Sequence, residues 1–444
     1  MMAALGDDFL FGVTTSATQV EGAVQADGRT ASVWDVFAAA PGTISDGSTP
    51  RTGADHYRRM DSDVGLLAEL GVRAYRFSIA WTRVQPGGSG VANGPGLDFY
   101  DRLVDRLLGN GIAPWVTLYH WDLPVEVMLA GGWLARNTAD RFGDYTRMVA
   151  DRLGDRVAAW ITMSDPSAHT FNGHAVGIDA PGLTLFGGAF TAGHHQLLGH
   201  ARAVEVLRST MAPAGRVGIA NNHAAVAPAS TSDEDRRAAE LYDAVHNQQF
   251  GDPLLTGRYP ELLADLPGID LSVVMNGDLP AIAAPLDIYG VNYQHPRAIA
   301  AAAGNRSVPF TMTEAGETLT TASGWPIVPS ALTSTLTDLH HRYPALPPVF
   351  VTESGAAFPD TDTDLDRIGY LDDHLAAVAA AREAGVDVRG FFYASLLDGW
   401  EWAHGHSQRF GLVRVDADSL ERHPRASFRH YAELIGAYRR AAAR

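Results

Sequence analysis

Eight short apolar runs alternate with amphipathic helical stretches along this chain, and that alternation constrains its architecture more than any other feature. The runs fall at 9–13, 74–79, 113–119, 158–163, 217–221, 288–293, 349–352 and 389–394. Helical patterns lie between them at 61–70, 97–110, 138–153, 193–211, 234–249 and 369–384. Repeated strand–helix alternation of this kind predicts a (β/α)8 barrel. A doubly wound parallel sheet is the alternative. It normally carries a glycine-rich phosphate turn after an early strand, and no such turn is present. No 20–50-residue repeat and no low-complexity linker divides the sequence, so 1–444 reads as one domain. The Pro/Gly-rich stretches 251–285 and 304–329 are expected to be long loops at the barrel mouth.

Composition removes several chemistries. The formal net charge of −17 opposes nucleic-acid binding, which requires a cationic face. There is no Cys, hence no disulfide, thiolate nucleophile or thiolate metal site. There is also no Lys, which excludes Schiff-base catalysis and a P-loop lysine. The start of the chain, Met-Met-Ala-Ala-Leu-Gly-Asp-Asp, lacks the basic-then-apolar order of a signal peptide. No apolar run approaches the ~20 residues that span a bilayer. A cytoplasmic protein with no membrane partner is the expectation.

Two carboxylates stand at the ends of strand-like runs. Glu353 follows Val-Phe-Val-Thr and precedes Ser-Gly; Asp165 follows Ala-Trp-Ile-Thr-Met-Ser and precedes Pro. A barrel strand ending in an acid delivers it to the C-terminal mouth, where barrel active sites form. Two such acids facing one cavity are the minimum machinery for cleaving a glycosidic bond. The adjacent histidines His194-His195 and His340-His341 lie on helical stretches, where neighbours diverge by about 100°, so neither pair is expected to share a metal. Asp233-Glu-Asp-Arg-Arg reads as a solvated helix start.

Longer motifs add a family. Phe9-Leu-Phe-Gly-Val-Thr-Thr-Ser-Ala-Thr-Gln-Val-Glu-Gly, Ser32-Val-Trp-Asp and Ala74-Tyr-Arg-Phe-Ser-Ile-Ala-Trp occur in order. Tyr119-His-Trp-Asp-Leu-Pro, Gly131-Gly-Trp-Leu, Val351-Thr-Glu-Ser-Gly-Ala-Ala-Phe and Ser395-Leu-Leu-Asp-Gly-Trp-Glu-Trp follow. The set resembles the glycoside hydrolase family 1 β-glucosidases from about residue 8 to residue 435.

The resemblance implies that Glu353 is the nucleophile of a retaining double displacement and that Arg76 keeps it ionised. Asp165 takes the place of the acid/base. Gln19, His120, Glu401 and Trp402 match positions that hold the sugar hydroxyls, Trp121 and Phe410 match wall positions, and Trp325 resembles the tryptophan on the aglycone side. The implied partner is a small-molecule glycoside; no metal or cofactor is implied.

Departures from the family pattern cluster together. The family motif Asn-Glu-Pro is Ser164-Asp165-Pro166 here, so the acid is one methylene shorter and the asparagine that grips the 2-hydroxyl is a serine. Gln294 stands for the tyrosine that hydrogen-bonds the nucleophile. Ser354, Ala394 and Ser167 replace an asparagine and two tryptophans. These changes predict an atypical active site with altered specificity and slow turnover of simple glucosides. A repurposed member acting by transglycosylation or non-hydrolytic acid/base chemistry is one alternative, and a sugar-binding protein with little catalysis is another.

Overall fold

The computed structural model describes residues 2–302, 304, 308–313 and 319–442. Eight parallel strands close into a barrel. They are β1 (Leu10–Thr15), β2 (Ala74–Ser78), β3 (Ala113–Tyr119), β4 (Ala159–Ser164), β5 (Arg216–Asn222), β6 (Ile288–Asn292), β7 (Val349–Ser354) and β8 (Val388–Ala394). Each strand neighbours the next in sequence, and β1 closes on β8 with Leu10 opposite Gly390. A helix follows every strand: α1 (His56–Leu70), α2 (Gly94–Gly109), α3 (Thr138–Leu153), α4 (Phe190–Thr210), α5 (Asp233–Asp243), α6 (Pro329–Arg342), α7 (Leu365–Glu383) and α8 (Ala426–Ala442). This is the (β/α)8 barrel that the alternation predicts.

The helices form because their apolar residues recur at helical spacing. In α2, Leu97, Tyr100, Val104 and Leu107 are buried on one stripe, and Pro95 sits in the first turn, where its missing N–H costs nothing. The charge run at 233 begins α5 as expected, with the Ser232 hydroxyl accepting from the Asp235 N–H.

Inside the barrel, Phe350 packs edge-on and Phe392 tilted against Trp115, at the end where the strands begin. Trp115 lies 4.9 Å from Phe350 and 4.8 Å from Phe392 between ring centres. Small residues make room for these rings. A Cβ on Gly12 would sit 2.4 Å from a Phe392 ring carbon, and one on Gly390 would sit 2.7 Å from a Phe350 ring carbon.

The segments around the mouth, including parts of the stretches expected as loops, carry regular structure. The helix beginning at α5 continues through Ala244–Gln248 and Gln249–Thr256. Short strands Val226–Pro228, Arg297–Ala301 and Phe310–Thr313 form a small sheet over the mouth. Residues 303, 305–307 and 314–318 of the second stretch lie outside the described residues. No helix among the described residues is long and apolar enough to cross a membrane.

Candidate active site

Irregularities in the sheet occur where the two acids leave it. The β4–β5 register shifts between Ile161 and Ser164, and the β6–β7 register shifts between Val351 and Glu353. Breaks of this kind re-aim side chains next to binding sites. Asp165, the first residue beyond β4, has φ of 49°, a left-handed conformation that aspartate tolerates better than most residues. Trp121 beyond β3 and Trp402 beyond β8 also have positive φ, 72° and 52°. Three such residues around one cavity mark a mouth held in shape by its surroundings.

Glu353 and Asp165 face each other across this mouth. One carboxyl oxygen of each, together with a ring nitrogen of His120, lie within 4.8 Å of one another. Arg76, buried on β2, donates to Glu353 Oε1 at 2.6 Å and to the Ser164 hydroxyl at 2.7 Å. Asn292, at the end of β6, donates to Asp165 Oδ1 at 2.9 Å and to Ser164 Oγ at 3.1 Å. The Thr352 hydroxyl donates to Asn292 Oδ1 at 2.6 Å, which fixes the orientation of that amide.

These contacts separate the two acids electrostatically. Burial, then the charge of Glu353, pushes the Asp165 carboxyl well above the usual carboxylate range. Burial also raises Glu353, but the Arg76 guanidinium opposes this directly. The arrangement favours a proton on Asp165 and a charge on Glu353. His120 is held well below its ordinary value by burial and then by Arg76, so it is a neutral imidazole. Geometrically, the His120, Asp165 and Glu353 trio could contact a cation, but Arg76 already supplies the counter-charge to Glu353.

The mouth opens into a cavity of about 390 Å³. Of the residues singled out in the sequence, Gln19, His120, Trp121, Asp165, Gln294, Trp325, Glu353, Glu401, Trp402 and Phe410 all border it. Gln19 Nε2 donates to Glu401 at 2.5 Å, and burial raises the Glu401 carboxyl to about 8. Trp402 leans on Trp121 at 4.5 Å and on His120 at 5.4 Å, making a buried polar and aromatic end. At the more exposed end, Trp325 stacks on His295 at 5.2 Å and leans on Phe410 at 5.9 Å.

Two singled-out residues have contacts other than those the sequence suggested. Ser164 is fully buried and does not border the cavity; its hydroxyl is engaged by Arg76 and Asn292. Gln294 hydrogen-bonds Asn222 and makes no hydrogen bond to Glu353 among the described residues. Asn292 and Thr352 were not singled out by sequence reasoning. A polar residue closing the apolar run Ile-Tyr-Gly-Val was the available signal for Asn292. The paired histidines have separate partners: His194 contacts Asp278 at 3.0 Å and His195 the Trp133 carbonyl at 3.0 Å.

Comparisons with known proteins agree with this geometry. The family model for glycosyl hydrolase family 1 matches residues 1–439. Beta-glucosidase A of Thermotoga maritima is 39% identical over 97% of this chain and 97% of its own length. The solved structure of a psychrophilic beta-glucosidase from Micrococcus antarcticus superposes with a TM-score of 0.94 at 41% identity, covering 98% of this chain and 97% of its own. The Thermotoga maritima beta-glucosidase in complex with glucoimidazole superposes with a TM-score of 0.91 at 38% identity, covering 97% of this chain and 98% of its own. These comparisons do not bear out the expectation of an atypical active site. They also give no support to the repurposed or binding-only alternatives, since these three are β-glucosidases matched over 97% or more of their length.

Proposed function

The chain belongs to glycosyl hydrolase family 1 and is a glycosidase, and we propose that it hydrolyses β-glucosides by a retaining double displacement centred on Glu353 and Asp165. Residues 1–444 act in this reading as one glycosidase domain. The observation that carries it is the approach of the two carboxyl oxygens to within 4.8 Å. Retaining enzymes hold their carboxyl groups about 5–5.5 Å apart, whereas inverting ones need about 6.5–9.5 Å to admit a water between acid and sugar.

Glu353 attacks the anomeric carbon while Asp165 gives its proton to the departing oxygen. Asp165, now ionised, takes a proton from water as that water releases the sugar from Glu353. Arg76 keeps Glu353 anionic before attack, and burial keeps Asp165 protonated. Gln19, His120, Glu401 and Trp402 hold the sugar at the buried end, with Trp121 as its wall. Trp325, Phe410 and Gln294 flank the leaving group.

The finer part of the proposal concerns specificity. Ser164 presents no group to the 2-hydroxyl, a contact that contributes transition-state stabilisation in such sites. Asp165 is one methylene shorter than a glutamate. Both features favour substrates with good leaving groups over simple alkyl glucosides.

The test compares 2,4-dinitrophenyl and alkyl β-glucosides. Glu353→Ala is expected to lose about 10⁴-fold or more in kcat on both. Asp165→Ala is expected to lose about 10²–10⁴-fold on the alkyl glucosides and much less on the activated one. Equal losses on both leaving groups in Asp165→Ala would remove Asp165 from the acid role. Release of the α-anomer of glucose as first product would overturn the retaining mechanism.

A further inference from the structure

The outer half of the cavity contains a cation with no counter-ion among the described residues. Tyr242, His246, His295, Arg297 and Met312 line this half, with Arg297 beginning the mouth strand Arg297–Ala301. Among the described residues bordering the cavity, Arg297 is the single Arg or Lys. It forms no ion pair with any described residue, and its Nε is buried without an acceptor. Other inward-facing arginines are matched: Arg76 by Glu353, Arg83 by Glu21 and Arg425 by Asp398. The described residues around Arg297 do not neutralise it. His246 and His295 are lowered to about 3 by burial first and by Arg297 next, so they stay uncharged and leave the guanidinium as the fixed charge of this wall. Asp179 borders the same cavity, but its carboxyl is raised to about 6 by burial and bonds Asn172 rather than Arg297.

A half-buried guanidinium lacking a carboxylate is costly unless a ligand supplies one. Its planar fork suits an oxyanion held by two parallel hydrogen bonds. The sugar end of the cavity has no comparable cation facing it, because Arg76 is committed to Glu353. We propose that Arg297 makes the outer subsite selective for β-glucosides whose leaving group carries an oxyanion such as a carboxylate. This rests on the β-glucosidase reading above. The stacked pair Trp325 and His295 would offer a ring face to the body of the leaving group while Arg297 meets its charge.

The test measures a preference rather than a rate. 4-Carboxyphenyl β-glucoside and its methyl ester differ in the charge of the aglycone. The ratio of their kcat/KM values, compared between wild type and Arg297→Gln, cancels the difference in leaving-group acidity. The expected result is a fall in carboxylate preference of about ten-fold or more in Arg297→Gln, the size expected for loss of a charge-assisted contact. Arg297→Lys should keep part of the preference, and raising NaCl should erode it in wild type. A preference unchanged within about two-fold in Arg297→Gln would overturn the assignment, even if both rates fell together, since such a fall reports packing against Tyr242. Calorimetric titration of the same two glucosides onto Glu353→Gln protein, with and without Arg297→Gln, reads the preference without turnover. If wild type cleaves neither glucoside, the glucosidase reading fails, and the Kd ratio still decides the role of Arg297. A ratio that Arg297→Gln leaves unchanged sinks it.

Discussion

The Asn292 amide and the Arg76 guanidinium meet at the Ser164 hydroxyl, between the two acids. Asn292 donates to Asp165 and accepts from Thr352, while Arg76 reaches Glu353 and Ser164 from the other side. The Asn292 bond favours the ionised form of Asp165 and so opposes the effect of burial. Asn292→Ala therefore raises the Asp165 pKa further. Because the first step of the proposed mechanism needs Asp165 protonated, the alkaline limb of the kcat/KM profile should move to higher pH in this variant, and a downward movement would show that the amide supports the acid form instead. Thr352→Val should produce a smaller shift in the same direction, because it frees the amide without removing it. Glu353 and Asp165 were legible in the sequence because each ends an apolar run beside Gly or Pro. Asn292, Thr352 and the burial of Ser164 were not, because their partners lie on other strands and only barrel closure brings them together.

At the scale of elements, the strands were readable from their brevity and apolarity, and their order around the barrel follows their order in the chain. Less legible was α6, where Ser and Thr fill many positions and depress helix propensity. Its buried face, Leu332, Thr335, Leu336 and Leu339, holds it by packing instead. The mouth strands escaped notice because Val226–Pro228 has 3 residues, too few to display a period. Barrel packing gives a sharp stability prediction. Gly12→Ala would place a methyl 2.4 Å from the Phe392 ring, so one of the two must move. The expected cost is about 1–3 kcal/mol by chemical denaturation, typical of overpacking a dense core. The double variant Gly12→Ala with Phe392→Leu should recover part of it. Equal stability of Gly12→Ala and wild type would mean that the ring shifts freely.

Across the whole molecule, buried acids couple folding to pH. Glu401 is 7% exposed and its carboxyl is raised from 4.5 to about 8 by burial, opposed by the Gln19 contact. The folded chain holds this proton where the unfolded chain has released it, so its contribution to stability is fully present below pH 4.5 and is lost as pH rises to about 8. Glu401→Gln should therefore flatten the decline in Tm across that window; an identical decline in both proteins would show that Glu401 ionises in the folded state without cost. The sealed interior has a separate consequence for traffic. With Trp115, Phe350 and Phe392 filling the end of the barrel where the strands begin, the cavity is closed on that side and opens at the mouth. In the proposed reaction the sugar lies deepest, so whatever it was attached to must vacate the threshold before water can follow.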